Sequence, residues 1–579
     1  MIARLLESRG YRVGFICQPD WRKPEDFRVL GRPKLAFLVS GGNMDSMVLH
    51  YSVTKRRRNQ DLFTPGKEIG KRPDRAVIVY SAVIRQAFKG VTIIIGGVEA
   101  SLRRLGHYDY WSDSVRRSVL LDAKADIGVW GMGERAVLEV AQALKEKKKA
   151  RELTSIRGTF IKIPGTEAGD FLASHTDLVQ LPSFEEICVD KKAHARSFGL
   201  QNRNTDPFSA KTLVEAYPSG ELLVQNPPAP PLDSQFFDQV YELPYQRRPH
   251  PRYQVPGSPG YGIAALEEVQ FSLVSNRGCF GGCSFCALTF HQGRFIQARS
   301  RESLVREAKI LVAHPDFKGY IHDVGGPTAN FRSSGCKKMA ESGSCADKSC
   351  LGHIPCKNLK ADHSEYLGIL RELRSLPGVK KVFVRSGVRY DYVLADQEDD
   401  FLKELTAHHV SGQLKVAPEH VSPRVLKAMG KPPIRVYENF KDRYERWNTL
   451  AGKKQYLVPY FISSHPGSTL DDAIALAEFI RDQRVQPQQV QDFYPTPGTV
   501  STIMYFTGLD PRTSTLEPIQ TVRTPREKAM QRALLQFRDP KNYDLVRDAL
   551  RQAKREDLIG SGPKCLILSF KKRNLGQKR

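Results

Sequence analysis

Cys279-Phe280-Gly281-Gly282-Cys283-Ser284-Phe285-Cys286 follows directly on a short apolar run, residues 271–274, that reads as a buried strand. Three thiols spaced C-x3-C-x2-C on a glycine-punctuated loop can ligate three corners of a cubane iron–sulfur cluster. The fourth iron is then left without a protein ligand, open to a substrate or cofactor. Thiolate sulfur suits iron better than hard oxygen donors do. A zinc site wants four ligands, normally in paired spacing, which this loop does not offer by itself. Cys283 and Cys286 also scan as C-x-x-C, but a redox disulfide leaves Cys279 unexplained and needs a thioredoxin-like context.

Around this loop the pattern alternates strand and helix. Strands are expected at 271–276, 319–325, 380–385, 413–418, 455–462 and 490–494, separated by helices at 300–313, 362–376, 399–408, 423–429, 437–451 and 470–484. Six such units make a partial (β/α)6 barrel, with functional residues expected at strand C-termini.

Four further stretches accompany the cysteines: Asp323-Val-Gly-Gly-Pro-Thr-Ala-Asn330, Arg385-Ser-Gly-Val-Arg-Tyr-Asp391, His465-Pro-Gly-Ser-Thr469 and Asp492-Phe-Tyr-Pro-Thr-Pro497. With them the sequence resembles the radical S-adenosylmethionine (SAM) superfamily and, within it, the YgiQ-type branch, from about residue 2 to about residue 538. The resemblance implies a radical SAM enzyme with a 4Fe-4S cluster on Cys279, Cys283 and Cys286, bound by the amino and carboxylate groups of SAM. It implies Phe285 near the adenine and Gly325, Gly326 and Pro327 where backbone groups meet the SAM amine. Ser386 and Arg389 follow as contacts to ribose or carboxylate, although polar residues there could equally belong to the barrel rim. A reduced cluster would cleave SAM to methionine and a 5′-deoxyadenosyl radical that takes hydrogen from a substrate, so a reducing electron donor is a required partner. The substrate is not legible. Two rivals share the cysteines: a non-catalytic iron–sulfur redox sensor or electron carrier, and an iron–sulfur RNA-binding or RNA-modifying protein.

A second group, Cys336, Cys345, Cys350 and Cys356, lies in a Gly/Ser/Lys-rich insertion, residues 331–358, and also resembles the YgiQ-type pattern. Its C-x8-C-x4-C-x5-C spacing is not that of a zinc ribbon. Four thiols in one polar loop can close a tetrahedral zinc site or hold a second cluster, and the spacing leaves both open. Cys17, Cys188 and Cys565 stand alone and read as buried thiols. Arg294, Arg299, Glu419 and His420 fall where SAM or a substrate could be reached, with His420 reading as a core or rim residue.

Residues 1–157 read as an α/β unit with strands at 11–17, 34–40, 91–95 and 125–130 and helices at 74–88 and from 134 to about 148. The resemblance makes this a Rossmann-like domain of cobalamin-binding type. The Asp-x-His-x-x-Gly stretch that supplies an axial histidine in one class of such domains is absent. The chain also opens on what reads as the first helix, as a late start assignment or a degenerate domain would leave it. A structural or partner-docking unit is expected rather than a cobalamin site. Residues 97–111 mix Arg, His, Tyr and Asp densely and are expected at an interdomain or substrate-facing surface. Residues 158–260 lose periodicity and carry proline-rich runs, reading as a connector or wrapping segment. The barrel then occupies 261–510. A helical, basic extension, 511–579, ends in Lys571-Lys-Arg-Asn-Leu-Gly-Gln-Lys-Arg579.

The net charge of +25 across 579 residues fits a basic surface or nucleic acid, and no aromatic-rich RNA motif supports the latter. With no apolar run near the roughly 18 residues a membrane span needs, and no secretory signal at Met1, a cytoplasmic protein with no membrane partner is expected.

Overall fold

The computed structural model describes residues 1–253, 262–484, 487 and 490–569, so the basic tail at 571–579 and the junction at 260–261 lie outside the described residues. The chain builds a seven-stranded mixed sheet followed by a partial barrel whose parallel strands pair within three small sheets.

Ile93, Ile94 and Ile95 show how the sheet forms. Successive β side chains point to opposite faces. Ile93 and Ile95 therefore join Val39, Val77, Ile84, Leu213 and Leu223 in one core layer. Ile94 joins Ile127, Ile161, Val224 and the helix Glu134–Lys145 in the other. The strands run in the order Phe37–Ser40, Ile93–Gly96, Ile127–Val129, Thr159–Ile163, Leu222–Gln225, Thr212–Ala216, Leu178–Gln180. The first three pair in parallel, as a Rossmann-like unit does, and the next three junctions are antiparallel.

Two expectations are corrected here. Residues 158–260 are not a connector throughout, because 159–225 supplies four of the seven strands. These strands are three to five residues long and the stretch is broken by Pro164 and Pro182, which hides their period. Residues 12–17 form no strand, and Phe15 is 65% exposed. Their alternation is real but no sheet edge meets them; Tyr11 and Val13 only lean on the helix-covered layer.

In the barrel, Ser272–Val274 pairs in parallel with Asp323–Gly325, and Tyr320–Ile321 with Lys381–Val382. The second strand thus splits at His322 to serve both neighbours. Gln413–Glu419, Tyr456–Ser463 and Val490–Asp492 continue in parallel. Between the two groups the Val384 N–H, just past the third strand, donates to the carbonyl of His409, which ends the helical turn before the fourth, at 3.0 Å. Helices Pro525–Leu535 and Tyr543–Gln552 add an outer layer, burying Leu534, Val546 and Leu550 against Ile474 and Ala477 of helix Leu470–Asp482.

The two halves interlock. Arg277, two residues before the first cluster-loop cysteine, forms a buried ion pair with Glu134 at 2.6 Å. Residues 97–111 lie at this interface: Tyr108 stacks on Phe506 at 4.4 Å, and Tyr110 and Trp111 pack against Tyr494.

Removing one partner of a buried pair strands a charge, so Glu134→Ala is expected to cost about 3 kcal/mol in urea unfolding, and Glu134→Met with Arg277→Met considerably less. Glu215 offers a pH test. Both its carboxylate oxygens accept the Gly106 N–H, at 3.1 and 2.9 Å, yet burial pushes its pKa up to about 7. A carboxyl raised in the folded state adds stability in acid that is lost as pH rises through about 7. Stability should fall by about 3 kcal/mol between about pH 4.5 and 7 on this account, and Glu215→Gln should remove that slope in unfolding at stepped pH.

Candidate active site

The chain leaves the first barrel strand through Gly278, at φ +85°, where a Cβ would lie 1.9 Å from the Phe295 carbonyl oxygen. Only glycine permits this approach. The loop is then pinned by its backbone: the Cys279 N–H donates to the Gly293 carbonyl at 3.1 Å, and the Ser284 N–H to that of Met429 at 2.9 Å. Phe280 turns inward and stacks on Phe331 at 3.9 Å.

All three thiols are free and partly buried. The Cys279 Sγ is 3.4 Å from the Thr328 hydroxyl, and the Cys283 Sγ is 3.5 Å from the Arg389 guanidinium. Burial raises the Cys279 pKa and pushes that of Cys286 up to about 12, where Cys283 and Cys279 add to the rise. Three thiols sharing one buried neighbourhood resist ionising alone and ionise against a cationic metal core. The donor set therefore fits an iron–sulfur cluster. Among the described residues no three His, Cys, Asp or Glu side chains are arranged to hold a single metal ion. A cluster asks something different, since each thiolate binds its own iron.

Opposite the loop, Asp323 organises the ends of strands two and three. One carboxylate oxygen accepts the N–H groups of Arg385 at 2.8 Å and Ser386 at 3.0 Å, and the other accepts the Ser386 hydroxyl. Gly325 and Gly326 stand where side chains cannot: a Cβ on Gly325 would lie 2.4 Å from the Ser386 hydroxyl, and one on Gly326 2.4 Å from the Asn276 carbonyl oxygen. Arg389 is buried, clamped by Asp391 at 2.8 and 2.6 Å, and reaches the Gly281 carbonyl at 3.4 Å. Its guanidinium thus faces the cluster loop. Asn330 holds the Arg389 backbone from both sides. Phe285 meets His465 edge-on at 5.9 Å in a cluster with Tyr108, Tyr110, Phe493 and Tyr505.

Other residues singled out from the sequence lie elsewhere. Arg299 is paired with Glu307 in the core. Arg294 donates to the carbonyls of Cys345 and Lys348, at 2.6 and 2.8 Å, and so docks the cysteine-rich insertion. His420 is buried and lowered to about 4, a neutral core residue near pH 7. Cys188 is exposed, and Cys17 and Cys565 are only partly buried. The sequence reading quoted Asp323, Asn330 and Asp391 inside motifs without giving them work. It passed over Lys431, whose ammonium is buried 3.9 Å from the Glu419 carboxylate. Glu419 itself adopts φ +72°, a strained conformation for glutamate, at the end of strand four.

Comparison with known proteins is decisive for the family. Residues 1–272 match the radical SAM N-terminal family, residues 273–480 the radical SAM superfamily, and residues 488–579 a domain of unknown function (DUF3362). The UPF0313 protein of Clostridium perfringens strain 13 is 55% identical over 570 residues, spanning 98% of this chain and 84% of the relative. That of Clostridium botulinum strain 657 is 52% identical over 567 residues, spanning 98% and 87%.

The chain belongs to the UPF0313 family.

UPF0313 proteins are the YgiQ type of the radical SAM superfamily, and membership brings a 4Fe-4S cluster and SAM as cofactors. Among solved structures, the radical SAM methyltransferase TsrM from Kitasatospora setae, with cobalamin and a 4Fe-4S cluster bound, aligns at 14% identity and TM-score 0.46, covering 86% of this chain and 73% of its own. The cobalamin-dependent SAM radical enzyme OxsB aligns at 13% and 0.39, covering 83% and 65%. Among the described residues of this UPF0313 chain no helix is long and apolar enough to cross a membrane.

Outer-shell groups commonly tune metal affinity by 10-fold or more, so Arg389→Gln is expected to lower iron retention under chelator challenge about tenfold. Iron analysis after desalting reads this directly.

Proposed function

We propose that this radical SAM protein cleaves SAM reductively, with Cys279, Cys283 and Cys286 holding a 4Fe-4S cluster whose open iron takes SAM. The observation that carries the reading is convergence: in the three-thiol loop after strand one, Cys279 lies against Thr328 and Cys283 against Arg389, on the segments that follow strands two and three. An electron carrier needs the thiols alone, whereas radical SAM membership brings SAM as a ligand for the open iron.

The cluster, when bound and reduced, supplies one electron to the SAM sulfonium and thereby a 5′-deoxyadenosyl radical. The chain supplies the rest. Gly325 and Gly326, packed tightly on Ser386 and Asn276, and Pro327 after them would present backbone groups to the SAM amine. The Ser386 hydroxyl spends its proton on Asp323 and keeps its lone pairs for a ribose or ammonium donor. Arg389 serves the cluster loop: its cation sits at the Cys283 sulfur and offsets thiolate charge, while Asp391 fixes its plane. Phe285 presents an aromatic face for adenine. The Tyr108, Tyr110, Phe493 and Tyr505 layer behind it keeps water from that side.

Anaerobic reconstitution, reduction with dithionite and mass-spectrometric detection of 5′-deoxyadenosine test the reading. Cys279→Ala, Cys283→Ala and Cys286→Ala should each abolish production, and Cys345→Ala should leave the first cluster bound. Unchanged production in the three variants would reject the assignment. A full, reducible cluster with no production at all would favour an electron carrier.

A further inference from the structure

We infer that Cys336, Cys345, Cys350 and Cys356 hold a second four-iron cluster, placed on the outer side of the cluster loop. All four thiols are free and partly exposed. The quartet is drawn together by its packing: Cys336 and Cys350 border the same apolar cluster, the Cys356 N–H donates to the Cys350 carbonyl at 3.0 Å, and Lys338, in the helix that Cys336 caps, reaches Cys345. Donors already face the sulfurs. The Met339 N–H lies 3.4 Å from Cys336 Sγ, and the Lys338 ammonium 3.4 Å from Cys345 Sγ.

The insertion is fastened to the first site. Besides the Arg294 bonds to its backbone, the Ser349 hydroxyl comes within 3.6 Å of where a Gly282 Cβ would stand. A Gly352 Cβ would lie 3.2 Å from the Gly430 carbonyl, and a Gly430 Cβ 2.9 Å from that of Gly282. Phe280, Phe331, Met339 and Leu351 form one apolar cluster with Cys279 on one margin and Cys336 and Cys350 on the other. A loose surface loop would have no reason to be held so firmly against the cluster loop.

The setting favours iron–sulfur over zinc. A structural zinc is redox-inert and closes its own site, whereas a four-iron cluster held against the loop of the first one can pass it an electron. In a four-iron cluster every thiolate takes a separate iron, so the sulfurs stand further apart around a shared core. The quartet is half-buried, and its surroundings carry exposed Lys337, Lys338, Lys348, Lys357 and Lys360 against exposed Glu341 and Asp347, a net positive rim. That rim suits an acidic one-electron donor. One electron then enters at the quartet and one leaves inward, with no bond made or broken. Only this entry role rests on the SAM reading above; occupancy of the quartet does not.

Full-length protein reconstituted with iron and sulfide is expected to hold about eight irons per chain. The variant with Cys279, Cys283 and Cys286 all changed to Ala should hold about four, as should the one with all four quartet cysteines changed. Reduced with dithionite, the first variant should give an electron paramagnetic resonance signal indifferent to SAM, and the second a signal that SAM shifts. If the second signal ignores SAM, the SAM-site reading fails while the quartet assignment stands. About four irons in the unaltered chain with none in a folded first variant, or one zinc retained there instead, would overturn the assignment. Should the quartet variant not fold, the unaltered chain and the first variant still decide. With reduced flavodoxin as donor, losing the quartet should slow reduction of the remaining cluster about tenfold, and equal rates would refute the entry role.

Discussion

Everything at the site depends on backbone meeting backbone with no side chain between. Gly278 against Phe295, Gly326 against Asn276, and Gly430 against Gly282 each place a would-be Cβ within 3.0 Å of a carbonyl oxygen. One methyl group at any of them would force loops apart by more than a packed interior can absorb. The contacts join the end of strand one, the turn after strand two and the loop after helix Pro423–Met429 into a single layer. Glycine pays for this in chain entropy, about 0.5–1 kcal/mol per position relative to alanine in regular structure. The return is that thiols and a bare turn come together where bulkier residues would keep them separate.

Charge is buried only in company. Arg277 has Glu134, Arg299 has Glu307, Arg103 has Asp45 and Arg389 has Asp391. Such pairs roughly break even against apolar packing, so their effect is to fix position more than to add stability. Arg277–Glu134 ties the sheet half to the residue that leads into the cluster loop, and Arg389–Asp391 aims a cation at a sulfur. Arg104 is the instructive contrast. It has no carboxylate, and burial lowers it to about 9. Its guanidinium lies 3.7 Å from the Phe290 ring and 4.2 Å from that of Trp130, so aromatic faces take the place of a counter-ion.

What was legible in the sequence was local. The barrel strands announce themselves because each is a short apolar run followed by glycine or polar residues at its C-terminal end, and the cysteine loop needs no distant partner to be recognised. The sheet was half legible. Ile93–Gly96 is a β-branched run that has to be a buried strand, whereas Leu178–Gln180 has only Thr212–Ala216 to pair with, thirty residues further on. Residues 11–17 failed in the opposite sense, having a strand's alternation and no partner. At the site, Arg389 was found but its direction was not. Nothing in Arg385–Asp391 says that Asp391 turns the guanidinium toward Cys283, because that depends on a loop more than a hundred residues earlier.

The two thiol groups differ in the way a division of work requires. Cys279 and Cys286 are raised by burial, in a loop whose Phe280 and Phe285 join apolar clusters, the latter one built by both halves of the chain. A reactive radical needs that shelter, since water and stray donors would quench it. Shelter also denies a protein reductant direct contact. The quartet is half-buried as well, but it sits in a lysine-rich insertion that Arg294 fastens to the loop it would serve. A second cluster in the insertion after strand two would lengthen the reach of the first toward a protein donor while leaving the radical's shelter intact.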